Sequence, residues 1–167
     1  LNMDPDALRE CITDDTAAVI PVHYGGVACD MDEITAIADD YGALVVEDAA
    51  QALNATYKGE PLGTIGDIGC FSFHGTKSYV AGEGGAIFLN DESFVDRAEK
   101  IRQKGTNYEE FRRGEVDRYT WVDIGSSYVP SELQTALARA QLERIDEITA
   151  AQKRVHERYV SELGALE

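Results

Sequence analysis

The spacing of apolar residues changes along the chain, and each change marks an element. Asp4-Pro5 opens a short helix reaching about Ile12, with aspartate at the cap and proline at the first helical position. Ala17 to His23 reads as a strand, with Pro21 close to its end because proline cannot donate to a ladder. Asp30 and Glu33 have the spacing of a capping box. Ile34, Ile37, Ala38 and Tyr41 then recur at helical intervals until Gly42 ends the run. The strand Ala43 to Glu47 follows at once. Strand, helix and strand within about 30 residues predict a right-handed βαβ unit with parallel strands.

Further along, Tyr57-Lys-Gly-Glu-Pro61 carries the turn residues of a small hairpin, and Gly63, Gly66 and Gly69 continue a loop-rich passage. Cys70 to Phe73 alternates bulky and small residues as a strand does, and Ala86 to Leu89 is a second apolar run. The connection from Phe73 to Gly84 has no helical period and is shorter than a parallel crossover needs, so the second run is predicted antiparallel. Asp91 caps a helix with Phe94, Val95, Ala98 and Ile101 on its apolar side and Gly105 at its end. Residues 106–130 have no clear period and read as a long loop, with Phe111, Arg112, Arg113, Tyr119 and Trp121 as exposed aromatic and basic groups; loops of that length are usually functional or disordered. Ser131 and Gln134 form another capping box. The stripe Leu133, Leu137, Ala140, Ile145, Ile148, Val155, Tyr159 and Leu163 predicts one long helix, or two with a bend near Thr149. The fold class is α/β, a mainly parallel sheet with one antiparallel strand, flanked by helices.

Two stretches carry the chemistry. Lys77 lies between two apolar strands, flanked by Thr76 and Ser78, where a charged lysine is uncommon without a partner. Ala43-Leu-Val-Val-Glu47-Asp48 is a strand ending in two carboxylates, and ligands of open α/β sheets bind at the C-terminal ends of strands. Asp48 and Lys77 are thus predicted to approach one crevice, with Ser72 and Gln51 nearby. A lysine that attacks a carbonyl and an aspartate that holds a pyridinium nitrogen are the protein's half of pyridoxal-phosphate chemistry. A plain solvated loop is the competing reading for Lys77. A lone histidine such as His23 is more often structural than functional.

Val46-Glu-Asp-Ala-Ala-Gln51, Gly69-Cys-Phe-Ser-Phe-His-Gly-Thr-Lys77 and Gly82-Glu-Gly-Gly-Ala86 resemble the sugar aminotransferases of the DegT/DnrJ/EryC1/StrS family. Ile20 to Met31, Lys104-Gly-Thr-Asn107 and Tyr119 to Tyr128 resemble its branch that makes nucleotide-linked 4-amino-4,6-dideoxygalactose. The resemblance covers nearly the whole chain. It implies a fold-type I large domain with Lys77 joined to pyridoxal phosphate, Asp48 on the ring nitrogen, Gln51 by the ring and Ser72 on the phosphate. Ser127 falls where many members place an asparagine reaching the partner subunit's phosphate, and the branch resembled here also has serine. His23 and His74 are the substrate-side candidates it offers. It implies glutamate as amino donor, a nucleotide-linked 4-keto-6-deoxy sugar as acceptor, and a homodimer with shared active sites. Members that dehydrate a sugar instead carry histidine where Lys77 stands. Against the family's length, 1–130 corresponds to the central part of the cofactor-binding domain and 131–167 to an interface helix leading toward a further domain. A phosphate-binding turn would then lie upstream of Leu1, so this stretch alone is expected to bind cofactor weakly.

The formal charge of −16, from 31 acidic and 15 basic residues, argues against a nucleic-acid or anionic-membrane partner. The acidic pairs are scattered, as on proteins of high-salt cytoplasm, rather than gathered in a tail. Three cysteines without a C-x-x-C indicate neither a disulfide framework nor a zinc site. No apolar run approaches the roughly 20 residues that span a bilayer, and a cytoplasmic location is expected. Two other readings stay open from sequence: a Rossmann-type nucleotide-binding module around Gly82-Glu-Gly-Gly, which would need a helix after the glycines, and a non-catalytic piece that dimerises.

Overall fold

A computed structural model describes residues 1–164. Its centre is a four-stranded sheet built from β1 (Ala18–Val19), β2 (Leu44–Asp48), β5 (Ile68–Ser72) and β6 (Gly85–Leu89), in that order. The first three are parallel and β6 runs antiparallel to β5, with Ser72 opposite Gly85 and Ile68 opposite Leu89. The reversed strand follows from its short connection. The Phe73 amide donates to the Gly84 carbonyl and Gly75 to Gly82, which closes the chain back on itself without a crossover. Gly84 and Gly85 therefore lead into a strand, and the glycine-loop-then-helix arrangement of a Rossmann module is not formed there.

Before the sheet stands α1 (Pro5–Cys11), capped as the sequence predicts: the Asp4 carboxylate accepts the Asp6 amide. The strand expected over 17–23 is broken. Only Ala18–Val19 pairs as β1, and the ladder resumes at a bridge between Val22 and Asp48 after Pro21, which has no N–H to give. Helix α2 (Met31–Asp40) covers one sheet face, burying Met31, Ile34, Ile37 and Ala38 against Val19, Ala43 and Val45. Each such large side chain, fully buried, contributes about 2 kcal/mol. The capping box expected at its start is absent: Asp30 makes no cap bond and accepts instead from the Tyr57 hydroxyl, while Glu33 is taken by Arg9. The small hairpin of β3 (Thr56–Tyr57) and β4 (Glu60–Pro61) forms where its turn residues predict.

After β6 the Asp91 carboxylate caps a helical turn that leads into α3 (Val95–Arg102). The segment expected to be an unstructured loop contains a helix, α4 (Tyr108–Arg113), ended by Gly114 at a left-handed φ of 76°. Six residues are too few to display a helical period. Ion pairs to α3 hold it instead: Arg102 to Glu109, Lys100 to Glu110, and Arg113 to Glu99. The chain then returns beside α3, with bridges from Thr106 to Trp121 and from Gln103 to Ser127.

Ser131 and Gln134 form the expected capping box at the start of α5 (Glu132–Leu142). The helical stripe breaks at Glu143–Arg144 rather than near Thr149, and α6 (Ile145–Leu163) follows. Leu133, Leu137, Val155, Tyr159 and Leu163 of that stripe are exposed. Among the described residues no helix is long and apolar enough to cross a membrane.

Candidate active site

Parallel pairing and strand alternation decide what stands at the C-terminal rim. Asp48 pairs with Cys70, so these two and Ser72, two residues beyond Cys70, share one face of the sheet. The Asp48 carboxylate is half-buried and one oxygen accepts the Ala50 amide at 3.0 Å. Burial, and then the charge of Asp48, push the Cys70 thiol up, so it stays protonated at neutral pH. The Ser72 hydroxyl accepts the His74 amide at 3.3 Å and keeps its proton free to donate.

Lys77 sits in the turn after β5, its amide donating to the His74 carbonyl at 2.9 Å. His74 braces that turn: its Nδ1 lies 2.9 Å from the Thr76 hydroxyl, and its Nε2 lies 3.6 Å from Glu83. The half-buried Lys77 side chain lines an open cavity of about 360 Å³ together with Gly25, Gln51, Thr76 and Ser78. Lys58 and Lys100 both hold carboxylates, but Lys77 enters no ion pair among the described residues. Opposite it, the Gln51 side-chain oxygen accepts the Gly25 amide at 2.9 Å and so ties the loop after β1 to the loop after β2.

Behind this rim, on the other face, lies a network that sequence reasoning missed. Glu47 has no exposed surface. Its carboxylate accepts the amides of Gly63 at 2.7 Å, Ile65 at 2.6 Å and Gly66 at 2.7 Å, and the Nε2 hydrogen of His23 at 2.9 Å. Burial alone would raise its pKa. The bond from His23 and the three backbone bonds outweigh burial and hold it below the usual carboxylate range. His23 accepts the Cys29 amide on Nδ1, which assigns its proton to Nε2. The same loop is fastened from its other side by Asn90, whose amide donates to the carbonyls of Thr64 and Gly66. It lies so close to the sheet that a Cβ on Gly69 would sit 1.8 Å from the Gly63 carbonyl oxygen. The missed signal was phase: Glu47 alternates with Ala43, Val45 and Ala49, all buried.

Of the residues singled out from sequence, Gln51 and Lys77 share one cavity, while Asp48 and Ser72 share one sheet face at the C-terminal rim and are not among that cavity's lining residues. His23 is wholly buried and offers no surface to a substrate. Ser127 is exposed and bridges to Gln103 at the end of α3, outside the cavity lining.

The open, mainly parallel sheet, with Lys77 on the turn after β5 and Asp48 at the tip of neighbouring β2, is a fold shared with solved aminotransferases. The family model for the DegT/DnrJ/EryC1/StrS aminotransferases matches residues 1–167, and the chain belongs to that family. The GDP-perosamine synthase of Caulobacter vibrioides is 39% identical over 165 residues, which are 99% of this chain and 43% of that protein. An aminotransferase of Psychrobacter cryohalolentis superposes with a TM-score of 0.80 at 37% identity, covering 87% of this chain and 38% of that one. The sugar aminotransferase Spr1654 of Streptococcus pneumoniae in its PLP-form gives 0.83 at 26% identity, over 98% and 45%. The chain thus spans less than half the length of these relatives.

Proposed function

We propose that the protein bearing this chain is a pyridoxal-phosphate-dependent sugar aminotransferase, moving an amino group from glutamate to a nucleotide-linked 4-keto-6-deoxy sugar. The observation that carries this reading is Lys77, free of any ion pair among the described residues and lining one cavity with Gln51, on the sheet whose C-terminal rim holds Asp48 and Ser72. The residues left uncommitted fit the group: an amine, a carboxylate oxygen and a hydroxyl proton answer an aldehyde, a pyridinium N–H and a phosphate. A relative named for a GDP-linked product, and another solved in a PLP-form, support acceptor class and cofactor.

When bound, pyridoxal phosphate supplies the electron sink that lets a C–H bond beside nitrogen break. The chain's residues do the rest. With that group bound, Asp48 would hold a proton on the ring nitrogen through its uncommitted oxygen, and Ser72 would donate its hydroxyl to the phosphate. Lys77 would hold the group through its amine, with water leaving as that bond forms, and once displaced would move a proton to and from the substrate carbon. Gln51 would contact the bound group. Ser127 reaches a second subunit's site in a homodimer, a reading supported by the exposed apolar stripe of α5 and α6.

The test is an absorbance spectrum of the whole protein bearing this chain, with pyridoxal phosphate. A band near the visible edge, fixed by borohydride onto Lys77 and missing in Lys77→Ala, is the expected result. Absence of that band in the unaltered protein overturns the reading.

A further inference from the structure

The cavity beside Lys77 has two walls from separate loops, Gly25 and Gln51 on one side, Thr76, Lys77 and Ser78 on the other. Helix α6 is joined to both by a single hydroxyl. Thr149 donates its proton to the Ile145 carbonyl at 2.8 Å. Its oxygen accepts the Asn54 amide at 2.8 Å, just beyond Gln51, and bonds to the phenol of Tyr79, just past Lys77. One hydrogen and two lone pairs make up a threonine hydroxyl's full complement, so the phenol is the donor. Tyr79 is 3% exposed, and no other side chain bonds its hydroxyl among the described residues. Asn54 holds a left-handed φ of 68°, which asparagine adopts more readily than most residues with a side chain. On the same face of α6, Gln152 donates to the Ser78 carbonyl at 3.3 Å. These bonds matter because α6 buries none of its own residues.

We propose that Thr149 is a positioning residue that, with Gln152, fixes the separation between the Gln51 wall and the Lys77 wall, so that α6 sets the width of the cofactor cavity. The proposal deepens the aminotransferase reading and rests on it for the cavity's purpose. The latch itself is a property of this chain's loops and can be measured without cofactor.

The experiment is amide hydrogen exchange on the protein, with a parallel pyridoxal-phosphate titration by absorbance, for Thr149→Val, Thr149→Ser, Gln152→Ala and Arg158→Ala. Thr149→Val removes the bonds to both Asn54 and Tyr79 and is expected to speed exchange at least about tenfold in 52–55 and 77–83 together, and to weaken pyridoxal-phosphate binding by about tenfold. Thr149→Ser keeps the hydroxyl and should stay within about twofold of the unaltered protein in both readouts. Arg158→Ala removes only an exposed ion pair on α6 and should match the unaltered protein. The proposal is overturned if Thr149→Val loosens one loop or neither, if serine fails to restore both, or if Arg158→Ala has the same effect. Should Thr149→Val lack a cooperative thermal transition, Gln152→Ala decides: faster exchange in 77–83 alone supports the latch and no change overturns it. An unaltered protein that takes up no pyridoxal phosphate defeats the proposed function, while the exchange comparison still settles the latch.

Discussion

Two neighbouring carboxylates on one strand have opposite surroundings. Glu47 points into the closed face of the sheet, has no exposed surface and accepts four hydrogen bonds, from His23, Gly63, Ile65 and Gly66. Asp48 points to the open face, is half-buried and accepts one, from Ala50. The difference of a single position in a period of two turns the same chemical group from a built-in anchor into an available ligand. The anchor serves the ligand. His23, held by Glu47, donates its own backbone amide to the Asp48 carbonyl at 3.1 Å, which fixes the strand end from which Asp48 projects.

That contrast can be broken from either side. The largest effect belongs to the open side: Lys77→Ala should cut amino transfer by roughly 10⁴-fold or more while leaving the denaturant midpoint unchanged, checked by steady-state kinetics and urea unfolding. On the closed side, Glu47→Ala strands three backbone amides and an imidazole in the interior. A loss of about 3–5 kcal/mol in unfolding free energy is expected, and one below about 1 kcal/mol would show that the loop over the sheet stands without its anchor. Asp48→Asn keeps the shape but cannot hold a proton on a ring nitrogen. It should lower turnover by about 10²–10³-fold with stability little changed, and unchanged turnover removes Asp48 from the chemistry.

A pH series sharpens the comparison further. The folded pKa of Glu47 lies below its unfolded value near 4.5, so its contribution is complete above that value and fades as pH falls through the folded one. Glu47→Gln should therefore flatten the acid limb of stability below about pH 4.5, checked by urea unfolding across that range. The smallest effect expected is that of salt. With a formal charge of −16, raising sodium chloride to about 1 M, where the Debye length is about 3 Å, should stabilise the protein by on the order of 1 kcal/mol. A melting temperature that falls with salt refutes the likeness of its acidic surface to those of proteins from high-salt cytoplasm.

Local rules carried most of the fold. The cap at Asp4, the capping box at Ser131, the hairpin at Tyr57 to Pro61 and the reversal of β6 each depend on a few adjacent residues, and each is legible in the sequence. What escaped depends on distant partners. Asp30 has a cap's spacing but is drawn away by Tyr57, and α4 is held by ion pairs to α3 that no window of six residues contains. At the site, strand ends located Asp48 and Ser72, and the turn located Lys77. The resemblance also offered His23 as a substrate-side candidate, whereas Glu47 holds it wholly inside, as the structural reading of a lone histidine has it. Thr149 carries no sequence signal at all, since its partners Asn54 and Tyr79 lie far away along the chain.

The contact between Gly69 and the Gly63 carbonyl has a consequence for how this rim can vary over time. A methyl group there would force the overlying segment upward and draw the amides of Gly63, Ile65 and Gly66 off Glu47 together. One absent side chain thus constrains a rim that it never touches. Substitutions that reshape this rim are expected to be tolerated in the loops at the seam's border and not in the bare backbone beneath them.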